Sequence, residues 1–380
     1  MNIFSNTSLT VSCGPGSVPY LREELRKMGY TILSEHDRGV EIEASWEDAL
    51  RLNLCLRTAL HVMYPLKKFP CRGPDELYRE VAALAWEEII DPSEYLSVVS
   101  VIETGRVKNS MFANQKVKDA IVDRLVKKCG KRPSSGPNRD NAVVDLFWNR
   151  DDCWLYLDTS GNKLSDRGYR TMPHAAPLRE TLAAALLFAA GYDGSVPLVN
   201  PMCGSGTLAI EAALIALNRA PGLLRDNFGF MHVKNFDGKK WRALREEMNG
   251  RGRGGLPARI IATDIDRRAI DAAKINARAA GVETLIEFSV CDFAETPLPT
   301  GKGIIMLNPE YGVRLGEEAE LGRQYRSIGN FFKQKCAGHT GYIFTGNPRL
   351  AKQVGLRTSR KMIFFNAGIE CRLLEYHLYD

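Results

Sequence analysis

Two rhythms of apolar and polar residues divide the chain. Before residue 160 the pattern is mixed. Alternation predicts short strands at 8–12 and 39–42, and spacings of three and four predict helices at 18–28, stopped by Gly29, and at 46–53. Helical spacing returns at 75–88 and 114–129, where Val117, Ile121 and Leu125 share a face and Gly130 ends the run. A β-branched run at 95–102 reads as a strand, and 142–148 with 153–158 as a hairpin across residues 149–152. After residue 178 strand and helix alternate. Helices are expected over 179–190, 205–218, 267–280 and 319–336, and strands over 196–200, 259–263, 285–290, 303–307, 341–346, 362–366 and 370–378. Such alternation implies an α/β fold with a largely parallel sheet and helices on both faces. The Gly-, Asp- and Arg-rich stretch 159–177 reads as a joint, and 220–257 as an insertion containing the Gly250–Gly255 loop.

A length of 380 residues points to two or three domains. Hydrophobic and charged contents of 44% and 25% are those of a soluble globular protein. No apolar run approaches the roughly 18 residues that span a bilayer, and Met1–Ser5 lacks the start of a signal peptide. Nine cysteines without a Cys-x-x-Cys pair and six scattered histidines argue against disulfides and zinc. The expectation is a metal-free cytoplasmic protein with no membrane partner. Net charge changes the picture only locally. Residues 106–140 hold ten basic and three acidic residues, a surplus of seven against +6 for the whole chain. The candidate contacts to a polyphosphate there are Arg106, Lys108, Lys116, Lys118, Arg124, Lys127, Lys128, Lys131 and Arg132. The plainer reading is a solvated helix face.

The chemistry sits at strand ends. The strand at 196–200 runs into Asn200-Pro201-Met202-Cys203-Gly204-Ser205-Gly206-Thr207 and then an apolar helix. Glycines permit a tight turn, and the helix N-terminus aims free N–H groups and a positive dipole end at a ligand. A lone Gly-x-Gly is unspecific. The next strand ends in Asp264-Ile265-Asp266, where an acid can accept the two hydroxyls of a ribose. The third ends in Asp292-Phe293, an acceptor for an adenine amine and a ring to pack on it. Each has a plain alternative: Asp266 as a helix cap, Asp292 as a turn residue. The fourth ends in Asn308-Pro309-Glu310-Tyr311. There an Asn oxygen and a backbone carbonyl can accept from an exocyclic amine while a Tyr stacks on the base. By itself this is a proline turn; downstream of the other three it is a candidate catalytic corner.

At this point the chain resembles the S-adenosylmethionine-dependent amino-group methyltransferases. More narrowly, it resembles the THUMP-domain guanine-N2 RNA methyltransferases. The likeness adds Arg167-Gly-Tyr-Arg170, Ala176-Pro-Leu-Arg-Glu-Thr181, Ile210-Glu-Ala-Ala-Leu214, Arg219-Ala-Pro-Gly222, Phe228-Gly-Phe230 with Trp241, and the tail 368–378. Phe112-Ala-Asn114 and Lys118-Asp-Ala-Ile121 are similar to the THUMP signature. The resemblance implies a ferredoxin-like α+β region at 1–60, a THUMP domain at 61–160, a linker at 161–178 and a Rossmann-like class I methyltransferase domain at 179–380. The last would hold a mixed, mostly parallel seven-stranded sheet. It further implies S-adenosylmethionine as cofactor. The cofactor pocket would be lined by Pro177, Leu178, Thr181, Asn200 to Thr207, Asp264, Ile265, Asp292, Phe293 and Asn308. Asn308, Pro309 and Tyr311 would hold the target base. The partner would be RNA, ribosomal first and transfer RNA second.

Glu310 departs from the family's Asn-Pro-Pro-Tyr corner. Its carboxylate is expected to face solvent, with recognition of the guanine N1–H and N2–H edge as the second reading. Rivals remain open from sequence: adenine N6 as the methyl acceptor, a non-catalytic RNA-binding assembly factor and, a distant third, a dinucleotide oxidoreductase. Residue patterns do not fix the oligomeric state.

Overall fold

The computed structural model describes residues 4–5, 7–107, 109–172, 178–312 and 318–379. The chain forms two compact units, each assembled from separate segments. Residues 1–13, 22–164 and 225–247 make the first; 14–21, 165–224 and 248–380 make the second.

The strands of the first unit are β1 (Ser8–Cys13), β2 (Thr31–His36), β3 (Gly39–Glu43), β4 (Ala59–Pro70), β5 (Tyr95–Glu103), β6 (Ser134–Ser135), β7 (Ala142–Asn149) and β8 (Asp152–Asp158). They form one sheet in the order β2-β3-β1-β4-β8-β7-β5-β6. Between them lie helices α1 (Val18–Lys27), α2 (Trp46–Cys55), α3 (Pro74–Ala82) and α4 (Ser110–Cys129). A capping box of Ser45 and Asp48 starts α2. Asn109 caps α4, and Gly130, at φ 69°, ends it.

Apolar spacing misses β2 and β4. The first is an exposed edge strand; the second carries Pro65, Pro70 and two lysines. The register of β4 with β8 slips between Pro65 and Lys67, a bulge where a missing N–H is tolerated. Because β4 pairs with β1 on one side and β8 on the other, the whole unit shares one sheet. The expected helix over 75–88 stops at Ala82, and Trp86–Glu88 makes a separate 3₁₀ turn in which the Trp86 indole N–H donates to the Val81 carbonyl.

The second unit contains β9 (Leu198–Pro201), β10 (Ile260–Asp264), β11 (Ile286–Val290), β12 (Ile304–Leu307), β13 (Thr340–Thr345), β14 (Arg360–Asn366) and β15 (Ile369–His377). Their order is β11-β10-β9-β12-β13-β15-β14, parallel except for β15, which is antiparallel to both neighbours. The helices that follow in chain order are α5 (Glu180–Ala189), α6 (Thr207–Ala216), α7 (Gly238–Gly250), α8 (Arg267–Ala279), α9 (Glu318–Lys335) and α10 (Pro348–Gln353). Helix α7 lies in the insertion, where no helix is expected from apolar spacing, and most of it belongs to the 225–247 segment of the first unit.

Strand residues divide by parity between two cores. Leu198, Ile260, Ile304 and Met306 pack with α5, α6 and α8, while Val199, Ile261, Ile305 and Leu307 pack with α9 and α10. Sheets covered on both faces read as continuous apolar runs, as these strands do. Helices α5 and α6 are buried almost all round, which explains their nearly unbroken apolar sequences. Among the described residues no helix is long and apolar enough to cross a membrane.

A buried ionic cluster holds the entrance to this unit. Arg167 donates from Nε and Nη2 to the Glu211 carboxylate on α6 at 3.2 and 3.3 Å, and the Tyr169 hydroxyl donates to it at 3.1 Å. Arg167 and Glu211 are 2% and 0% exposed, so neither charge has water to fall back on. Burial, reinforced by Glu211, pushes the Tyr169 phenol well above its ordinary range. Removing one partner of such a pair strands the other. Glu211→Ala should cost about 3–5 kcal/mol in urea unfolding; a loss below 1 kcal/mol would show that Arg167 finds water or another acceptor.

Candidate active site

Strand order in the second unit reverses between β9 and β12, the position where open α/β sheets bind ligands. The backbone ladder between these strands covers only Leu198 with Ile304 and Val199 with Ile305. One residue further, the Asn200 side chain spans the widening gap and donates to the Met306 carbonyl at 2.8 Å. The two strands then release their separate loops into the crevice.

The loop after β9 has three left-handed residues in five: Met202 at φ 57°, Gly204 at 54° and Gly206 at 81°. Each glycine is required for a different reason. A side chain at Gly206 would collide with Ala273 of α8, at 2.9 Å, whereas one at Gly204 would meet only open space. The loop therefore packs tightly on one side and leaves room on the other. Gly206 is the N-cap of α6 and supplies no capping side chain, so the first amides of the helix remain available. Ser205 and Thr207 are buried, and Cys203 is half-buried. Burial pushes the Cys203 thiol far up, with Asp264 adding to the effect, which disfavours the thiolate.

Asp264, at the tip of β10, accepts from the Gly204 N–H at 2.9 Å through one carboxylate oxygen and from the Asp266 N–H at 3.0 Å through the other. It thus sets the glycine loop, and each oxygen keeps a lone pair for a ligand hydroxyl. Ile265 beside it is 71% exposed, an apolar surface at the strand tip. Asp266 caps α8 through the Arg268 N–H, in line with its plainer reading. The Cys291 N–H donates to the Asp264 carbonyl, which draws the tip of β11 alongside. Asp292 there accepts from the Ala294 N–H at 2.8 Å and starts a short turn. The Phe293 ring packs edge-on to Phe331 of α9, towards the core.

At the end of β12, Asn308 is half-buried and Pro309 buried. The Asn308 Oδ1 is a buried acceptor with no donor among the described residues. Glu310 is exposed, as expected, and its backbone carbonyl accepts from the Tyr325 hydroxyl at 3.3 Å. The Tyr311 hydroxyl accepts from Asn366 Nδ2 at 2.8 Å, and its ring lies against Gly346 and edge-on to Phe344. Burial raises its phenol to about 12, so Tyr311 keeps its proton.

Upstream, Leu178 and Thr181 are buried, with Leu178 in the core that backs the pocket. Pro177 lies outside the described residues. Arg170 fixes this segment, donating to the Leu178 carbonyl at 2.7 Å and to Glu180 at 2.9 Å.

Asn276 on α8 is a positioning residue that apolar spacing overlooks. Its Oδ1 accepts from the Thr171 and Met172 N–H groups, and its Nδ2 donates to the Met172 and Ser205 carbonyls, all within 3.2 Å. It ties the 171–172 segment to the glycine loop. The sequence signal is its spacing, which sets a polar Asn on the same helical stripe as Ala269, Ala273 and Ala277; in the structure it is 1% exposed.

In the first unit the basic candidates separate into two sets. Arg124 is consumed by a two-pronged pair with Glu87, at 2.9 and 2.7 Å, which holds Glu87 below its usual carboxylate range. Arg106 pairs with Asp151, Lys118 with Asp119, and Lys116, more loosely, with Asp75. Lys127, Lys128, Lys131 and Arg132 are exposed and have no ion pair among the described residues. They cluster at the C-terminal end of α4 and just beyond. Lys108 lies outside the described residues.

The order of strands, the loop after the first and the acids after the second and third define a class I methyltransferase fold. Comparison with known proteins gives the family. Residues 167–375 match the RMKL-like methyltransferase domain, 8–63 the RlmL ferredoxin-like domain and 71–158 the THUMP domain. The chain belongs to the RMKL-like methyltransferase family. It is 39% identical over 96% of its length to the ribosomal RNA large subunit methyltransferase K/L of Syntrophotalea carbinolica, and covers 53% of that protein. The chain thus spans about half the length of the K/L relatives it matches. It is 35% identical to the candidate RNA methyltransferase slr0064 of Synechocystis, with 94% and 93% of the two chains covered. The crystal structure of SMU.472 complexed with SAH superposes with a TM-score of 0.87 at 26% identity, over 98% of both chains.

Asn276→Ala should release the loop without unfolding the unit. Hydrogen exchange in a peptide covering residues 201–207 is expected to speed up while one covering β13 stays unchanged; equal protection in both would remove Asn276 from this role.

Proposed function

We propose that the chain transfers a methyl group from S-adenosylmethionine to the exocyclic N2 amine of a guanine in RNA, with large-subunit ribosomal RNA as substrate, in the cytoplasm. The observation that carries the reading is the Asn308 Oδ1, a buried acceptor lacking a donor among the described residues, at the carboxyl end of the central strand β12 and next to the strand that carries the glycine loop. S-adenosylmethionine, when bound, supplies a methyl group on a positively charged sulfur. The residues fit such a ligand. Gly204 leaves space, the α6 amides suit a carboxylate, Asp264 suits the ribose hydroxyls, and Ile265 and Asp292 suit the adenine face and amine.

In-line transfer to an amine mainly requires alignment. Asn308 Oδ1 and the Pro309 carbonyl accept the two N2 hydrogens, which turns the amine lone pair towards the methyl group. Tyr311, held by Asn366 and Gly346, sets where the base can lie. No strong base is needed: the proton leaves to water after transfer. The amine must be reachable, so the guanine is unpaired or flipped from a helix. The names of the K/L relatives support ribosomal RNA, and the THUMP match with the exposed cations around Lys127 to Arg132 supports an RNA grip in the first unit.

Incubation with isotopically labelled S-adenosylmethionine and ribosomal RNA, followed by nucleoside mass spectrometry, should yield N2-methylguanosine. Labelled N6-methyladenosine would reassign the base, and no detectable cofactor binding by calorimetry would favour the non-catalytic rival. Asn308→Ala should lower turnover by about 10²–10³ while leaving cofactor affinity within about tenfold; turnover like the wild type would remove Asn308 from the mechanism.

A further inference from the structure

Residues 346–365 carry five basic side chains, Arg349, Lys352, Arg357, Arg360 and Lys361, and no acidic one. Arg360 pairs with Glu375 at 2.8 Å. The side chains of Lys352, Arg357 and Lys361 are exposed and make no hydrogen bond or ion pair among the described residues. A concave pocket of about 230 Å³ opens here, lined among others by Gly346, Leu356, Thr358 and Leu374 together with Lys352, Lys361 and Arg372. Gly346 is the residue against which the Tyr311 ring rests, so the pocket adjoins the catalytic corner.

The β14–β15 register extends this surface. Lys361 pairs with Leu374, Ile363 with Arg372 and Phe365 with Glu370, so all six share one face of the hairpin. On that face Ile363 and Phe365 are 52% and 38% exposed. Exposed apolar and aromatic side chains set among cations make the composition of a single-strand nucleic-acid platform. The pocket is smaller than the roughly 300–1,000 Å³ of whole-ligand sites. It suits one heterocycle against Leu356 and Leu374, with the Thr358 hydroxyl available to a base edge; Arg372 is paired with Glu370 at 3.1 Å.

We propose that this pocket and hairpin face hold the RNA strand beside the target nucleotide: one flanking base in the pocket, the next on Phe365, and their phosphates on Lys352 and Lys361. The proposal rests on the RNA-methylation reading above. It makes the second unit a reader of sequence next to the target, separate from the cations of α4.

Steady-state methylation of RNA by the full chain tests it. The double variant Lys352→Glu with Lys361→Glu should raise KM for RNA about tenfold and lower the slope of log affinity against log salt by roughly 1.4. Phe365→Ala should raise KM roughly fivefold or more. In both, kcat and calorimetric affinity for S-adenosylmethionine should stay at wild-type values, which also reports that the unit is folded. Wild-type KM and salt slope in these variants, with an active wild-type enzyme, would overturn this inference and leave the methylation reading standing. Altered sedimentation with unchanged RNA kinetics would assign the face to a second copy of the chain and equally overturn it. If the wild type itself fails to methylate RNA, both readings fall.

Discussion

The parallel ladder between β9 and β12 ends after two residue pairs, and the site in the second unit depends on that divergence. Two strands that stayed hydrogen-bonded to their ends would deliver their loops side by side and leave no crevice. Here the Asn200 amide donates to the Met306 carbonyl just where the ladder stops, so the strands part without leaving that carbonyl unpaired. The glycine loop and the Asn308 corner are then held on opposite sides of a gap whose walls are strand backbone.

Side chains that satisfy backbone groups recur around this crevice, and most serve two purposes. Asp264 accepts the Gly204 and Asp266 amides and also keeps lone pairs for a ligand. Asn276 carries four backbone hydrogen bonds and so determines how the 171–172 segment meets the glycine loop. Asp292 opens a turn with one oxygen. A loop in left-handed conformations has little regular structure to stabilise it, and these polar anchors substitute for the missing ladder. The buried Arg167–Glu211–Tyr169 cluster does the same for the incoming chain, at the desolvation cost that buried charges carry. It contributes placement more than net stability.

Charge is distributed by a similar division of labour. The surplus at 106–140 is large in sequence, yet Arg106 and Arg124 are spent on carboxylates within the fold. The cations left for a partner are Lys127 to Arg132 at and beyond the C-terminal end of α4, and Lys352, Arg357 and Lys361 in the second unit. Net charge over a window therefore overstates a binding face, and pairing in three dimensions selects the residues that remain.

Much of the fold was legible along the chain. The alternation of apolar strand and helix after residue 178 determined a doubly covered, mostly parallel sheet, because burial on both faces demands continuous apolar strands. The loop at 200–207, the acids at 264 and 292 and the corner at 308–311 were legible because each follows an apolar strand that such a sheet must bury. Strand β4 was hidden because its two prolines break the pattern that only a bulge makes tolerable. Helix α7 was hidden inside a polar insertion. Only the tertiary structure decided that Asn276 braces the glycine loop, that Tyr311 is tied to Asn366 and that Arg124 is bound to Glu87. The reason is physical. Periodicity records which residues leave water, whereas the partner of a buried polar group lies tens of residues away and is chosen by packing.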